Sequence, residues 1–156
     1  MGSHVFEIRE DDLSGEATRA LVALHLSGMH ENTPAEHVFA LDLSGLTAPG
    51  ITLWSVWDGG EVAGIGALKA LGDGGGELKS MRTDPRHLRK GVAGALLDHL
   101  IAEARRRGYR RLSLETGRGE AFEPALALYR RRGFVDGEAF ADYAPSAYSQ
   151  FLHLEL

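Results

Sequence analysis

A glycine turn that runs directly into an amphipathic helix is the feature that most constrains this chain. Residues 87–100 read HLRKGVAGALLDHL, with two glycines three positions apart behind a basic pair. Apolar residues then recur three and four positions apart, which predicts one buried helical face. Its members are Ala93, Leu96, Leu97, Leu100, Ile101 and Ala104. Gly108 stands where a left-handed cap would close a helix, so we predict that the helix ends there.

Strand patterns precede this helix. The runs at 51–57, 62–69 and 77–83 have strand-like sequences, and the Asp-Gly pair that begins at Asp58 predicts a hairpin between the first two. Asp84-Pro85 ends the third run, because proline cannot donate a hydrogen bond to a neighbouring strand. We therefore predict three consecutive antiparallel strands before the helix.

The remaining elements complete a mixed order. We predict a short strand at Val5–Arg9 and then a helix whose buried face consists of Leu13, Ala17, Ala20, Leu21, Leu24 and Gly28. A capping box at Thr33–Glu36 predicts a second, short helix. After the central helix we predict a strand at 112–116, a helix with Ala125, Leu128 and Tyr129 on one face, and a strand at 151–156. This order predicts an α/β (α+β) fold without an internal repeat or a domain linker.

Composition limits the classes of function. The 156 residues carry a net charge of -5, contain no cysteine and are 44% hydrophobic. Such a chain lacks the basic balance that favours nucleic-acid binding, and it cannot form disulfides or thiolate metal sites. No apolar run of membrane-spanning length and no signal-peptide pattern is present, so we expect a cytoplasmic protein with no nucleic-acid or membrane partner. We interpret Met1 to His4 as an expression remnant and residues 5–156 as one domain.

The glycine turn has the chemistry of an anion site. The first turn of a helix has backbone N–H groups without partners and the positive end of the helix dipole, so it attracts phosphate. Gly91 and Gly94 leave those N–H groups uncovered, Ala93 adds little bulk, and Arg89 and Lys90 supply positive charge. The alternative is that both glycines merely allow a tight turn and close packing, with the basic residues in solvent.

Two segments carry a family resemblance. The sequence DPRHLRKGVAGALLDHLIAEARRRGYRRLSLET, followed by ALALYRRRGF, resembles the GNAT superfamily of acyl-CoA-dependent N-acetyltransferases. The resemblance implies a mostly antiparallel central sheet flanked by helices, with acetyl-CoA as co-substrate. Its pyrophosphate turn corresponds to Leu88–Ala93, where Leu88 replaces the usual Gln or Arg. A second signature maps onto the helix around Tyr129, where Phe122 replaces the usual Asn, so we leave Phe122 out of the site.

The resemblance also implies roles for individual residues. The cofactor would be held by the strand backbone and the glycine turn, that is, by Met81, Arg82, Thr83, Arg89, Lys90, Gly91, Val92, Ala93 and Gly94. Tyr129 would be the general acid that protonates the leaving thiolate. Glu77 and Glu115 are both candidate bases for the incoming amine, and Lys79 is able to pair with either carboxylate.

The expected function is therefore transfer of an acetyl group from acetyl-CoA to a small primary amine, by direct attack in a ternary complex. The alternatives are a catalytically silent acyl-CoA-binding module and a protein amino-terminal acetyltransferase.

The histidines do not have the spacing of a metal site. His25, His30 and His37 lack the spacing of a shared metal site, so we expect substrate-lobe or surface histidines and no metal. His99 and His153 are also predicted at the surface. Aromatic residues are interpreted as core or dimer contacts, which makes a homodimer a candidate assembly; they are Phe39, Trp54, Trp57 and Tyr143.

Overall fold

A seven-stranded sheet organises the chain, in the order β1-β2-β3-β4-β5-β7-β6. The computed structural model describes residues 5–35 and 41–156. The strands are β1 (Glu7–Asp11), β2 (Ile51–Asp58), β3 (Glu61–Ala70), β4 (Gly75–Thr83), β5 (Arg111–Gly117), β6 (Val135–Gly137) and β7 (Ser149–Glu155). The helices are α1 (Glu16–Asn32), α2 (Leu43–Leu46), α3 (Val92–Arg106) and α4 (Glu123–Arg131). Every neighbouring pair is antiparallel except β4 and β5, so the predicted mixed α/β class is confirmed.

The strand meander and the central helix lie where the sequence predicts them. The β2–β3 hairpin turns at Gly59 and Gly60, and β4 ends one residue before Asp84. Helix α3 begins after Gly91 and is followed by Gly108, whose φ of 79° gives the predicted left-handed cap. The six predicted core positions of α3 are buried except Ala93, which is half-buried.

Helix α1 buries only part of the predicted face: Leu13 and Leu21 are buried and Gly28 is half-buried. Ala17, Ala20 and Leu24 are exposed, whereas the residues buried along α1 are Thr18, Leu21, Val22 and His25. The difference arises because two polar residues are accommodated inside: the Thr18 hydroxyl donates to Asp11 Oδ2 at 3.0 Å, and His25 faces a cavity. An apolar-only pattern therefore placed only part of the buried face correctly.

Other differences concern short elements. Strand β1 begins two residues later than predicted, and neither β6 nor α2 was predicted. The helix predicted from the capping box at Thr33–Glu36 falls largely on residues 36–40, which lie outside the described residues, as do His37 and Phe39. Among the described residues no helix is both long and apolar enough to cross a membrane.

Two glycines in β3 determine how closely α3 approaches the sheet. A Cβ on Gly64 would lie 2.7 Å from Val92 Cγ1, and a Cβ on Gly66 would lie 2.9 Å from Leu96 Cδ2, both of which are side-chain atoms of α3. Since real Cβ atoms do not approach other atoms so closely, side chains here would push α3 away. The glycines thus let the first turn of α3 lie directly on the sheet, next to β4.

The parallel pair β4 and β5 separates partway along its length. Pairing runs from Gly75↔Arg111 to Leu78↔Leu114, after which β4 continues to Thr83 along β3 and β5 continues to Gly117 along β7. The register of β4 against β3 shifts between Ile65 and Ala67, and Ser80 has a φ of 58°. This is a β-bulge, which bends the strand. The diverging strands open a cleft in the middle of the sheet.

Candidate active site

Two adjoining cavities fill the cleft between β4 and β5. The larger, about 390 Å³, extends from the end of β4 to the first turn of α3 and to α4. The smaller, about 100 Å³, lies between the diverging strands and reaches α1. The two share five lining residues, namely Met29, Met81, Phe122, Ala125 and Tyr129. They therefore form one continuous cleft with two ends.

The first turn of α3 offers unpaired backbone donors. Gly91 is the N-cap residue and provides no side-chain cap. The Ala95 N–H donates to the Gly91 carbonyl at 3.0 Å, so the N–H groups of Val92, Ala93 and Gly94 precede the first bond within the helix. These three N–H groups and the helix dipole are the donors that the predicted anion site requires. Ala93 and Val92 also line the larger cavity.

Backbone conformation and helix packing, rather than room for phosphate, explain why both positions of this turn are glycine. A Cβ on Gly91 would meet no atom within 4 Å, but its φ of 86° is in the left-handed region that favours glycine. A Cβ on Gly94 would lie 3.0 Å from Arg132 Nη2, next to α4. Gly91 therefore allows the turn and Gly94 allows the packing, as in the alternative interpretation, while the donors themselves are backbone atoms.

The two predicted cations of the turn, Arg89 and Lys90, differ in their ion pairing. Lys90 Nζ lies 3.2 Å from Asp58 Oδ2 and donates to His87 Nδ1 at 3.0 Å. His87 is buried, and its Nε2–H donates to Glu61 Oε1 at 2.9 Å. Lys90 is thus tied to the β2–β3 hairpin, where it anchors the turn. Arg89 is exposed and makes no ion pair within the described part of the chain, so its charge is available to a ligand.

At the other end of the cleft, Glu77 is already partnered. Its Oε2 accepts from the Tyr143 hydroxyl at 2.6 Å and from Lys79 Nζ at 3.3 Å. Lys79 Nζ also donates to the Tyr143 hydroxyl at 2.8 Å. Burial, followed by the Glu77 charge, raises the pKa of Tyr143, so this hydroxyl stays protonated and keeps donating. Of the two carboxylates that the sequence offers to Lys79, the structure pairs it with Glu77.

Glu115 is the less constrained of the two candidate bases. It lines the smaller cavity, is half-buried, and makes no ion pair with the described residues. Burial raises the pKa of Glu115 above its ordinary value; the Lys79 charge opposes this shift and the Glu77 charge adds to it. A carboxylate with a raised pKa is a better proton acceptor than an ordinary one.

Tyr129 lies where the two cavities meet. It is buried, its ring packs edge-on against Phe134 with centroids 5.7 Å apart, and it lines both cavities. Burial raises the pKa of Tyr129 to about 12, which keeps the phenol protonated at neutral pH. On α4 the buried residues are Leu126 and Tyr129, while the predicted Ala125 faces the cleft instead.

Sequence reasoning missed several residues of the cleft. Phe122 was left out, yet it lines both cavities, and its ring lies so close to β5 that a Cβ on Gly117 would come within 2.5 Å of it. For His25 the sequence offers a substrate-lobe or a surface position, and its burial against the smaller cavity excludes the surface position. The aligned position of Phe122 in the second signature was the available signal; nothing local marked His25.

The surface assignments of two other histidines are wrong. His153 is buried; its Nδ1 accepts from the Ser113 hydroxyl at 2.7 Å, and its Nε2–H donates to the Glu138 carbonyl at 2.8 Å. His99 is half-buried and packs edge-on against Trp54. Both histidines support the packing around the sheet.

Comparison with known proteins identifies the family. The model of the Acetyltransferase (GNAT) family matches residues 13–134. The chain is 51% identical over 152 residues to YedL, an uncharacterized N-acetyltransferase of Escherichia coli, covering 97% of this chain and 96% of YedL. The chain belongs to the GNAT acetyltransferase family. It is also 51% identical over 149 residues to YsnE, an uncharacterized N-acetyltransferase of Bacillus subtilis, covering 96% of this chain and 99% of YsnE.

The fold of this GNAT chain agrees with solved structures. A protein of Klebsiella pneumoniae assigned as an acyl-CoA N-acyltransferase superposes with a TM-score of 0.79 at 29% identity, covering 97% of this chain and 98% of that one. The family match and the near full-length relatives make the protein an acetyl-CoA-dependent N-acetyltransferase. The amine that it acetylates is a separate question, which depends on the smaller cavity, here called the acceptor end of the cleft.

Proposed function

We propose that this GNAT enzyme acetylates the primary amine of a small molecule by direct attack while acetyl-CoA is also bound. The observation that carries the proposal is that Glu115 and Tyr129 line the same cavity of about 100 Å³. One is a carboxylate whose pKa is raised by burial, and the other is a phenol held protonated. A base and an acid at one small cavity suit the two proton transfers of amide formation, and the cavity size favours a small acceptor.

The larger cavity and the first turn of α3, here called the cofactor end of the cleft, fit the rest of acetyl-CoA. The N–H groups of Val92, Ala93 and Gly94 would hold the pyrophosphate, with Arg89 adding charge. The strand backbone at Met81–Thr83, which borders the larger cavity, would hold the pantetheine arm. Leu88, in the position where the family has Gln or Arg, lies exposed at this cavity. Pyrophosphate binding therefore depends on backbone donors more than on side chains.

The proposed reaction balances its protons through two residues. Glu115 removes one proton from the incoming ammonium group, which is the dominant form of an alkylamine at neutral pH because its pKa is about 10. The free nitrogen attacks the thioester carbonyl, a tetrahedral oxyanion forms, and the carbon–sulfur bond breaks. Tyr129 gives its proton to the departing thiolate and recovers one from the nitrogen, and Glu115 then releases its proton to solvent, so that both residues regain their starting forms. The backbone near the Ser80 bulge of β4 would supply an N–H to the oxyanion.

Thiol release from acetyl-CoA tests the proposal. We expect release when a pool of small primary amines is added, and not when acetyl-CoA is incubated alone or with peptides bearing free amino termini. Release driven by peptides alone would make the enzyme a protein amino-terminal acetyltransferase. Binding of acetyl-CoA without release by either pool would make it a silent module. A preparation carrying Tyr129→Phe controls for contaminating acetyltransferases.

A further inference from the structure

Arg82 extends from β4 toward helix α1, at the α1 side of the larger cavity. Both terminal nitrogens of its guanidinium lie 3.0 Å from the position that a Cβ on Gly28 would occupy. The guanidinium therefore packs against the one glycine of α1. Arg82 and Gly28 both line the larger cavity.

The guanidinium of Arg82 lacks an anionic partner in the described part of the chain. It is half-buried, and within the described residues it forms neither an ion pair nor a hydrogen bond. Other arginines that approach the protein surface from packed elements are paired: Arg107 with Glu103 at 2.8 Å, and Arg132 with Asp98 at 2.6 Å. Removing a cation from water without a compensating anion is unfavourable, so the position of Arg82 is explained best by a ligand that carries negative charge.

His25 supplies a second, independent observation beside Arg82. It is only 3% exposed and lines the smaller cavity, and its Nδ1 is buried with no hydrogen-bond partner among residues 5–35 and 41–156. Burial and the Arg82 charge lower the pKa of His25 to about 4, so the imidazole is neutral at neutral pH. A neutral imidazole has one N–H to donate, and a buried polar group without a partner is costly.

We propose that the acetylated amine also carries a carboxylate, which Arg82 binds with His25 beside it. This inference rests on the proposed small-amine function. The planar guanidinium matches a carboxylate with two parallel hydrogen bonds. One cation and one neutral donor balance a single negative charge, which suits a carboxylate better than a phosphate dianion. The acceptor class is therefore an amino carboxylate, with its amine directed to Glu115 and its carboxylate to Arg82.

The test compares amino acids with their carboxamides, which keep the amine and lose the charge. We expect wild-type kcat/KM to be at least tenfold higher for the carboxylates. Arg82→Met is expected to lower that value by roughly tenfold to hundredfold, the range of a lost charge-assisted pair. In the same variant, kcat/KM for the carboxylates is expected to approach that for the carboxamides, because only the anion contact is removed.

Each other outcome counts against the inference in a distinct way. Equal turnover of carboxylates and carboxamides overturns the carboxylate while leaving small-amine acetylation intact. A raised KM for acetyl-CoA in Arg82→Met assigns the guanidinium to the cofactor instead. If no amine of either series is acetylated by the wild type, the proposed function itself fails, and this inference fails with it.

A second variant probes the same contact without removing Arg82. Gly28→Ala would crowd the guanidinium, which is the far end of a flexible side chain and is able to move. We expect Gly28→Ala to keep or raise the melting temperature, since alanine favours helix more than glycine does, and to lower the preference for carboxylates. Ser27→Ala, at an exposed neighbouring position of α1, is the matched control and should keep that preference. An unchanged preference in Gly28→Ala would contradict the inference.

Discussion

The cofactor end and the acceptor end of the cleft are built in opposite ways. The proposed cofactor end centres on one short stretch, residues 87–94, where the proposed ligands are backbone N–H groups at the start of α3. The acceptor end collects side chains from distant parts of the sequence, as the hydrogen bond of 2.6 Å between Tyr143 and Glu77 illustrates. Backbone donors serve a cofactor that is constant across a family, whereas side chains from separate elements can differ from one enzyme to another.

The two ends also differ in electrostatics. At the cofactor end, Lys90 and His87 are satisfied by Asp58 and Glu61 and hold the turn in place. At the acceptor end, burial shifts the pKa of Glu115 upward and that of His25 downward. Shifted values of this kind mark groups whose charged form is disfavoured by folding, and they cluster at functional sites. Substitutions at the two ends should therefore have different effects on activity and stability.

The largest effect is expected at Tyr129, where the two ends meet. Tyr129→Phe keeps the ring packed against Phe134 and removes only the proton donor. Because well-placed general acids contribute about a hundredfold to ten-thousandfold, kcat should fall within that range while the Kd for acetyl-CoA stays within about twofold. Steady-state kinetics and calorimetry measure the two quantities. Wild-type kcat, measured where thiol release limits the rate, would return Tyr129 to a purely packing role.

The next effect isolates the cofactor end. Gly91→Glu places a negative charge at the first turn of α3 and a side chain at a φ of 86°, so the KM for acetyl-CoA should rise about tenfold to hundredfold through charge repulsion. Gly108→Glu is the matched control, since Gly108 has a φ of 79° and equal space at the opposite end of the same helix.

Backbone strain alone would make the two glutamate variants behave alike. Both are expected to lose melting temperature to a similar extent, because a left-handed conformation costs a residue with a side chain roughly 1–2 kcal/mol. Only Gly91→Glu should weaken acetyl-CoA binding in calorimetry. Equal weakening by both variants would show that the first turn of α3 is not the anion site.

The smallest effects separate the two carboxylates of the acceptor end. Glu115→Gln should lower kcat/KM for the amine at neutral pH by about tenfold, with the difference from wild type vanishing as the pH falls through the Glu115 pKa and the base becomes protonated. The raised pKa means that the folded state disfavours ionised Glu115. Glu115→Gln should therefore raise the melting temperature at pH 8 and leave it unchanged at pH 3, below the pKa of an unfolded glutamate, about 4.3.

Glu77→Gln provides the contrast, with the opposite sign. It removes the partner of Lys79, whose side chain is only 8% exposed, and a buried cation without its anion is destabilising by about 3–5 kcal/mol. The melting temperature at neutral pH should fall. A rise in the Glu77→Gln variant, or a fall in the Glu115→Gln variant, in thermal melts would reverse the roles assigned to the two carboxylates.

The same contrast explains what the sequence predicted. Helix α3, its start at the glycine turn and its cap at Gly108 are marked by neighbouring residues, so they were predicted correctly. The buried face of α1 was predicted only in part, because Thr18 and His25 are polar and their burial depends on Asp11 and on the cavity. The sequence does not decide between Glu77 and Glu115 as the partner of Lys79 for the same reason. Strand β6 has three exposed residues, which give no strand pattern.

Occupation of both ends at once is the central requirement of the proposed reaction, in which the amine attacks acetyl-CoA directly. Initial rates measured over a grid of acetyl-CoA and amine concentrations test this requirement. In double-reciprocal plots the account predicts lines that intersect, since both substrates must be bound before thiol is released. Parallel lines, together with thiol release in the absence of amine, would show an acetylated enzyme intermediate and would contradict direct transfer across the cleft.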